Sequence, residues 1–313
     1  MRADRTKLGR SVNPPEAHIS VCVCTYKRPE LLGKLLRELE HQETNGRFTY
    51  SVVIADNDAK ESARGAVEQF ARGSRLGITY CVEPEQNIAL ARNRVIQNAK
   101  GDWLAFIDDD EFPCKDWLLR LFEACHKYQV SGVLGPVLPF FEQEPPRWII
   151  KGRFYDRPTH DTGFMIDWNE GRTGNVLLRR SVLDGIEGPF RPEFGSGGED
   201  RDLFKRLFAT GHRFVWCNEA AAYEVVPQVR WKRSFMLRRA LLRGKVSLTN
   251  RASAPVELSK SLLAIPAYTV ALPFLLALGQ HAFMRYLIRL CDHLGRVLAF
   301  VGINPVKEKY VIE

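Results

Sequence analysis

The sequence predicts an α/β fold built on a doubly wound, mostly parallel sheet of the Rossmann type, followed by a helical C-terminal region. Two observations carry this prediction. Over residues 18–107, short apolar runs alternate with segments of helical periodicity, which is the pattern of a parallel sheet with right-handed crossovers. From residue 227 onward the composition changes to basic and apolar segments of helical length, which do not continue that alternation.

The alternating part begins with strands that are rich in β-branched and large apolar residues. These strands are predicted at residues 18–24, 50–55, 78–82 and 103–107. The first helix begins at Pro29, which suits a first helical turn, and carries a leucine stripe as far as Leu39. Two more helices are predicted at residues 66–71 and 85–98.

Polar residues follow each of these strands. Because the carboxyl ends of parallel strands meet at one edge of a sheet, we expect these side chains to converge where ligands of open α/β sheets bind. They are Thr25, Asp56, Asn87, Arg92, Asp108 and Asp110. The sequence contains no Gly-x-Gly-x-x-Gly after the first strand and no P-loop motif, which disfavours the ordinary dinucleotide and P-loop sites.

The most informative stretch is the apolar run of residues 103–107, which leads into the four consecutive carboxylates Asp108 to Glu111. A core excludes these charges, and they repel one another unless a cation lies among them. Asp108 and Asp110 are two residues apart, so an extended backbone would point both at one divalent ion. The alternative is a solvated acidic turn that caps the helix starting at Trp117. These residues alone leave both interpretations open.

The overall balance of charge limits the choice of partner. The 313 residues carry a formal charge of +8 with a pI near 9.2, which favours an anionic partner such as nucleic acid, a membrane surface or a phosphorylated substrate. The seven cysteines include no Cys-x-x-Cys pair and are predicted to be buried, reduced thiols of a cytosolic protein. Residues 1–15 are polar and basic, so we expect a flexible arm over residues 1–17 and no secretory signal.

The chain continues with more strands and a Gly-rich turn, and residues 18–226 are expected to form one domain. Further strands are predicted at residues 133–138, 174–178 and 212–217. Residues 145–163 are rich in Pro, Gly, Arg and aromatics without a clear period, which predicts a long loop. The Gly-rich turn of residues 194–202 leads into a helix over residues 203–209. Glu199 and Asp200 fall in or just before its first turn, where carboxylates are favoured.

Residues 227–313 form the expected membrane-associated region. Residues 228–251 combine eight basic residues, no acidic ones and interleaved large apolar side chains, as in an interfacial amphipathic helix. Residues 261–279 carry no charge and are close to the minimum length of a membrane span, but they contain Pro266 and Pro273. A kinked membrane-embedded segment, a single span and a soluble helical hairpin all remain open. A second apolar, basic helix is predicted at residues 283–300.

Five short motifs then occur in a familiar order. They are Val21-Cys-Val-Cys-Thr-Tyr-Lys-Arg-Pro, Ile54-Ala-Asp-Asn-Asp, Asn87-Ile-Ala-Leu-Ala-Arg-Asn, Phe106-Ile-Asp-Asp-Asp-Glu and Gly198-Glu-Asp-Arg-Asp-Leu. With them the chain resembles the family 2 glycosyltransferases of the GT-A fold, and among these the bacterial exopolysaccharide enzymes of succinoglycan type. The resemblance covers residues 19–223. Each motif alone is weakly specific, and it is their order and spacing that give the resemblance its weight.

The resemblance implies a nucleoside diphosphate sugar as donor, most commonly a UDP-sugar, and Mg²⁺ or Mn²⁺ as cofactor. It implies Asp110 and Asp108 as metal ligands, and Asp200 as the general base with Glu199 beside it. The positions that it implies for nucleotide-sugar binding are Thr25, Tyr26, Arg28, Asp56, Asn87, Arg92, Asp108 and Asp109. A base placed across the anomeric carbon from the metal predicts inversion at that carbon.

Two departures from the family pattern bear on this interpretation. Tyr223-Glu224 stands in the region where many relatives place a His that meets the metal or the diphosphate. Gln228-Val-Arg-Trp231 is one residue short of the Gln-x-x-Arg-Trp motif of processive synthases. Because only one short region is strongly hydrophobic, we expect the addition of single sugars rather than polymerisation.

The sequence therefore predicts inverting, metal-dependent transfer of one sugar to a lipid-linked or saccharide acceptor in cell-surface polysaccharide synthesis. The expected place is the cytoplasmic face of a bacterial inner membrane, with peripheral or monotopic attachment or a single span. Nucleic acid is not expected as a partner. Two alternatives remain: a nucleotidyltransferase on a similar sheet, and a non-catalytic membrane-binding module. The loop of residues 25–29 lacks the glycines that nucleotidyltransferases usually carry there.

Overall fold

The computed structural model describes residues 17–195, 197–246, 254–303 and 306, so most of the predicted N-terminal arm and the end of the predicted basic helix lie outside the described residues. A seven-stranded sheet has the order β3-β2-β1-β4-β8-β6-β9. Its strands are β1 (His18–Thr25), β2 (Thr49–Asp56), β3 (Ile78–Val82), β4 (Trp103–Phe106), β6 (Gly132–Leu134), β8 (Val176–Arg179) and β9 (Phe214–Trp216). A three-stranded sheet contains β5 (Glu111–Pro113), β7 (Val137–Phe140) and β10 (Ala222–Val225).

The large sheet is mostly parallel, as predicted. Strands β3, β2, β1 and β4 pair in parallel, as do β6 and β9, whereas β8 runs antiparallel to both of its neighbours. The register aligns Thr25 with Asp56 and Asp56 with Val82, so three strands end at one edge. The predicted fold class, a doubly wound and mostly parallel α/β sheet, is confirmed.

Helices cover both faces of this sheet. They are α1 (Pro29–Glu40), α2 (Arg64–Gly73), α3 (Ile88–Asn98), α4 (Trp117–Tyr128) and α6 (Glu199–Ala209), whereas the short helix α5 (Arg147–Gly152) lies against the C-terminal region. One buried apolar cluster contains Leu36 of α1 and Trp117 of α4, and the other contains Ala91 of α3 and Phe204 of α6. Alternate side chains of the buried strands belong to the two clusters in turn, because successive strand residues point to opposite faces of the sheet. Of the seven cysteines, all free, four are buried and three are half-buried.

Two sequence expectations in this domain are wrong. The predicted strand of residues 133–138 is in fact two strands in different sheets, β6 and β7, separated by Gly135 and Pro136. The Gly135 amide donates to the Asn175 carbonyl and Asn175 Nδ2 donates to the Pro136 carbonyl, so this turn is held by a distant residue. The predicted loop of residues 145–163 contains helix α5. This helix has only six residues and one buried apolar side chain, Ile149, so it shows no helical periodicity in the sequence.

The C-terminal region is helical, as predicted. A 3₁₀ turn, Gln228–Trp231, precedes α7 (Arg233–Val246), α8 (Ala254–Ala277) and α9 (Gln280–Phe300). Helices α7 and α9 cross closely, because a Cβ on Gly244 would lie 2.1 Å from the Asp292 carbonyl oxygen and one on Gly295 would lie 2.2 Å from that of Leu241. Arg285 Nη2 of α9 donates to the Gly152 carbonyl at 2.8 Å, which ties the helices to α5. The boundary at residue 227 stays a prediction.

Helix α8 is one continuous helix that contains both Pro266 and Pro273. By length and composition, its segment Pro255–Ala277 is the one candidate membrane span among the described helices, and only 6% of its most apolar window is buried in the protein. Apolar side chains therefore face outward, with Leu263 77% and Phe274 73% exposed. Such a surface indicates an apolar environment or partner for α8.

Asn175 holds three chain segments together behind the edge of the sheet. It is fully buried with a positive φ of 60°, a conformation that Asn tolerates better than most residues. Its Nδ2 donates to the carbonyls of Pro136 at 2.8 Å and Ala220 at 2.7 Å, and its Oδ1 accepts from Trp117 Nε1 at 2.7 Å. These bonds connect the start of α4 with the β6–β7 and β9–β10 connections.

We predict that Asn175→Ala lowers the free energy of unfolding by about 3 kcal/mol or more, because it leaves the Ala220 carbonyl and the Trp117 indole N–H buried without these partners. It also removes one of the two hydrogen bonds to the Pro136 carbonyl, which keeps the bond from the Ala222 amide. Urea denaturation measures the change. Asn98→Ala is the matched control, since Asn98 makes one bond, to the Arg94 carbonyl, and should cost about 1 kcal/mol or less. Equal losses in the two variants would contradict the role of Asn175.

Candidate active site

The four consecutive carboxylates Asp108 to Glu111, called the acidic motif below, follow β4 at the carboxyl edge of the large sheet. Glu111 is the first residue of β5, which pairs antiparallel with β10 of the small sheet. Helix α4 begins only at Trp117, with Asp116 at its N-terminus. The alternative interpretation of the motif as a cap for that helix is therefore wrong. The motif instead crosses from one sheet to the other.

The motif is tied to the end of β1. Thr25 Oγ1 donates to Asp109 Oδ2 at 2.7 Å, and Arg28 Nη1 lies 3.3 Å from Asp109 Oδ1 and 3.1 Å from Asp110 Oδ2. Tyr26 is half-buried between them, with the Lys27 ammonium 4.9 Å from its ring centre. Four of the predicted nucleotide-sugar residues, Thr25, Tyr26, Arg28 and Asp109, thus lie together.

Carboxylates crowd this region more than the sequence indicated. The register of β5 and β10 places Glu224 directly opposite Glu111, an arrangement of like charges that destabilises a strand pair. Burial, followed by the charges of Asp108 and Asp110, raises the pKa of Glu111 well above its usual value. Burial also raises the pKa of Asp108, with Asp110 adding to the effect and Arg92 opposing it. Positive charge is therefore needed in the site to offset the repulsion between these carboxylates.

Arginine side chains provide part of this positive charge. Arg230 Nη2 lies 3.3 Å from Asp110 Oδ2, and its Nη1 lies 2.8 Å from Glu224 Oε1. Arg157 forms an ion pair with the other oxygen of Glu224. The guanidinium groups of Arg28, Arg157 and Arg230 therefore pair with carboxylates of the motif or with Glu224 beside it. The Tyr155 hydroxyl donates a hydrogen bond to the Arg230 carbonyl.

The donor set fits a divalent cation. A Cβ on Gly174 would lie 2.9 Å from Glu111 Oε1 and 3.2 Å from Asp108 Oδ2, so two carboxylates converge on space that only glycine leaves open. Within the described residues, no three Asp, Glu, His or Cys side chains are already arranged to hold an ion. Mg²⁺ sites commonly combine one or two carboxylates with substrate phosphates, and this chain offers such a partial set.

Arg92 connects the motif to helix α6. This arginine is buried, its Nη1 is paired with Glu199 Oε1, and its Nη2 lies 3.7 Å from Asp108 Oδ1. Glu199 and Asp200 are the first two residues of α6, so the prediction that they lie in its first turn is confirmed. The structure therefore brings Asp108, Arg92, Glu199 and Asp200 to one site.

The two carboxylates of α6 differ in their surroundings. Burial raises the pKa of Glu199, with Arg92 opposing the rise and the charge of Asp200 adding to it, and Glu199 Oε2 has no hydrogen-bond partner in the described part of the chain. Asp200 is half-buried, and its Oδ1 accepts from the Arg201 amide at 2.8 Å. Of the two, Asp200 is the carboxylate that a substrate can approach.

Two predicted nucleotide-binding residues are engaged within the protein. Asp56 is fully buried and accepts from the amides of Asp58 and Ala63 and from the Tyr80 hydroxyl. Asn87 caps α3, since its Oδ1 accepts from two amides of the first turn while its Nδ2 donates to the Pro192 carbonyl. A nucleotide contact by either residue stays a prediction.

Two arginines and an opposed carboxylate of the site were not predicted from the sequence. Arg157 lies within the predicted loop of residues 145–163, and Arg172 follows it, while Glu224 was noted only as the replacement for a histidine. The richness of that loop in arginine was the available signal. Its connection to the acidic motif could not be inferred, because it depends on contacts between residues far apart in the chain.

Asp109 gives the site a pH dependence. Burial and the charge of Asp110 raise the pKa of Asp109 to about 7, although Arg28 and the Thr25 hydroxyl oppose the rise and Asp108 adds to it. A carboxyl whose pKa is raised on folding stabilises the fold below its unfolded pKa of about 3.9, and this contribution is lost as the pH rises through the folded value.

We predict that, in EDTA, the free energy of unfolding falls more between about pH 5 and about pH 8 in the wild type than in Asp109→Asn, which cannot lose that proton. Urea denaturation across this range measures the difference. Parallel pH profiles for the two proteins would show that Asp109 is already ionised throughout, contrary to this expectation.

Known proteins are similar to this chain in sequence and in fold. The family model described as Glycosyl transferase family 2 matches residues 20–186. The chain is 37% identical over 230 residues to the succinoglycan biosynthesis protein ExoM of Rhizobium meliloti (strain 1021). This alignment covers 73% of each of the two chains.

Solved structures give the same fold. The mannosyltransferase PcManGT from Pyrobaculum calidifontis, in complex with GDP-Man and Mn²⁺, is similar with a TM-score of 0.61 and 18% identity, covering 92% of this chain and 90% of that one. S. aureus TarS 1-349 in complex with UDP has a TM-score of 0.52 and 18% identity, with coverage of 92% and 93%. On the match of family and fold, this chain belongs to glycosyl transferase family 2 and is a glycosyltransferase with the GT-A fold.

Proposed function

We propose that this enzyme transfers a single sugar, with inversion, from a nucleoside diphosphate sugar to a lipid-linked or saccharide acceptor in exopolysaccharide synthesis. The observation that carries the proposal is the Arg92 bridge, which places the acidic motif and the first turn of α6 on the same site. The role of ExoM in succinoglycan biosynthesis supports the pathway class. The UDP and GDP-Man complexes of the two structural neighbours support the donor class, and UDP-sugars are the first donors to test.

On the donor side, Asp110 and Asp108 would hold Mg²⁺ or Mn²⁺, in keeping with the Mn²⁺ of the neighbouring mannosyltransferase. When bound, the ion acts as a Lewis acid that stabilises the charge of the departing diphosphate. Arg28 and Arg230 are already paired with Asp110, so they lie where a diphosphate could exchange partners with them. Thr25 and Tyr26 border the nucleotide.

On the acceptor side, Asp200 takes the proton of the attacking hydroxyl. Glu199 is unsuited to that role, because its carboxylate is buried and paired with Arg92. We assign to Glu199 the task of holding the first turn of α6 against Arg92, so that Asp200 faces the bound donor. A hydroxyl that attacks in one displacement, with the base opposite the leaving group, inverts the anomeric carbon.

The C-terminal helices attach the enzyme to the membrane. The outward apolar side chains of α8 insert among lipid chains, and the basic residues of α7 and α9 lie beside them, where they can meet anionic headgroups. The basic residues are Arg233, Arg238, Arg239, Arg243, Lys245, Arg285, Arg289 and Arg296. We propose peripheral or monotopic attachment at the cytoplasmic face of a bacterial inner membrane, with a single span by α8 as the alternative.

We predict that the wild type binds UDP or GDP in a Mn²⁺-dependent manner in isothermal titration, and that Asp110→Ala abolishes the dependence because it removes a metal ligand. Asp200→Asn is the control: it should bind the nucleotide as the wild type does, yet lose about a hundredfold or more in the rate of sugar transfer. Binding that is metal-independent, or equal in Asp110→Ala, would contradict the assigned metal site.

We predict that the protein floats with vesicles containing phosphatidylglycerol, and that the double substitution Leu263→Asp with Phe274→Asp prevents it. Burial of each apolar side chain in lipid favours membrane binding by about 2 kcal/mol, and a carboxylate in its place opposes insertion. Met165→Asp, at an exposed apolar residue of the catalytic domain, is the control. A wild type that stays in the dense fraction, or self-associates through α8 instead, would refute membrane attachment.

A further inference from the structure

The guanidinium of Arg172 lies in the candidate site without an anionic partner. No ion pair or hydrogen bond of its side chain is found among residues 17–195, 197–246, 254–303 and 306, and its Nε atom is buried without a partner. Its guanidinium carbon lies 5.3 Å from the centre of the Trp216 ring, which fixes the group on an aromatic face. Arg172 is half-buried, and a partly desolvated cation without an ion-pair partner is suited to receive an anion.

Charges from both sides of the site reach Arg172. Burial and the neighbouring charge of Arg157 lower the pKa of Arg172, while Glu111, Glu170 and Asp200 act to raise it. Arg172 is therefore close enough to the acidic motif and to the first turn of α6 to be affected by the charge of both.

The carboxylates near Arg172 already have other partners. Glu111 Oε2 accepts from the Asp108 amide at 3.2 Å, Glu170 Oε1 lies 2.6 Å from His160 Nε2, and the Asp200 carboxylate accepts from the Arg201 amide. None of these is within ion-pair distance of Arg172 in the described structure. The protein itself thus leaves the guanidinium available.

The next residue adds a second unpaired group. Thr173 is 1% exposed, and its hydroxyl has no hydrogen-bond partner among the residues that the structure describes. Gly174, which follows, lies against Asp108 and Glu111. A buried hydroxyl without a partner destabilises the free protein. Two consecutive residues beside the acidic motif therefore carry polar atoms that no described protein group satisfies.

We propose that Arg172 and Thr173 bind a diphosphate group between the acidic motif and helix α6. A planar guanidinium matches phosphate oxygens in a bidentate manner, and stacking on Trp216 orients it for that purpose. The alternative of a neutral sugar ring would leave the cation unpaired. This inference rests on the proposed function, in which the donor carries one diphosphate and a lipid-linked acceptor carries another, so either can be the ligand.

The test compares Arg172→Met with the wild type in the presence of Mn²⁺. Titration with UDP and with uridine isolates the contribution of the donor diphosphate, and titration of the UDP-saturated enzyme with farnesyl diphosphate probes that of the acceptor. We expect Arg172→Met to weaken one of the two diphosphates by about tenfold or more, with uridine binding unchanged. Arg179→Met is the matched control, because Arg179 stacks over Trp103 at 4.5 Å, at the opposite end of β4 from the motif.

Each outcome has a distinct meaning. Selective loss of UDP affinity assigns Arg172 to the donor diphosphate, and selective loss of farnesyl diphosphate affinity assigns it to the acceptor. Unchanged affinities for both, or an equal loss for uridine, overturn the proposal. A wild type that binds no nucleoside diphosphate refutes the proposed function instead, and the farnesyl diphosphate titration, then done without UDP, still tests Arg172.

Thr173→Val provides an independent readout. Because the variant removes a hydroxyl that lacks a partner, the free protein should unfold at the same or a higher temperature than the wild type. The same substitution should weaken binding of the diphosphate that Arg172→Met affects. A lower unfolding temperature, or unchanged binding, would show that the hydroxyl serves the fold and not a ligand.

Discussion

The structure depends on the compensation of concentrated negative charge at the carboxyl edge of the large sheet. Four consecutive carboxylates follow β4, and the strand register adds Glu224 opposite Glu111. Carboxylates so close together are tolerable only because guanidinium groups of Arg28, Arg92 and Arg230 lie among them. Each of these arginines comes from a different segment, so charge compensation also holds the segments in place around the site.

The same compensation explains how the site can serve catalysis. A buried ion pair contributes less to stability than its Coulomb energy suggests, because both charges lose their hydration. Arginines that pair with the motif in the free protein can therefore exchange partners when a diphosphate and a divalent ion arrive together. Arg92 differs from the others in joining Asp108 to Glu199, so it links α6 to the motif.

Much of this organisation could be predicted from the sequence. The short strands ended where polar residues began, and a parallel sheet brings such ends together, so Thr25, Asp108 and Asp110 were expected as neighbours. The Gly-rich turn before α6 was also predicted, with Glu199 and Asp200 in or just before the first turn of the helix, although the helix begins at Glu199 and not at Leu203. Local patterns carried both predictions, and neither required knowledge of distant contacts.

Other features are set by contacts that no local pattern records. The pairing of Glu224 with Glu111 follows from the register of β5 and β10, two short strands that lie more than a hundred residues apart in the sequence. The division of residues 133–138 into two strands depends on Asn175. Arg172 lies outside every family motif quoted, and only its position over Trp216 draws attention to it.

The decisive experiment is a crystal structure of the enzyme with Mn²⁺ and a non-hydrolysable UDP-sugar, in which the anomalous signal locates the manganese. We predict an ion bound by Asp110 and Asp108, with the Asp200 carboxylate on the far side of the anomeric carbon. An ion bound elsewhere, or an Asp200 that faces away from the sugar, would contradict it.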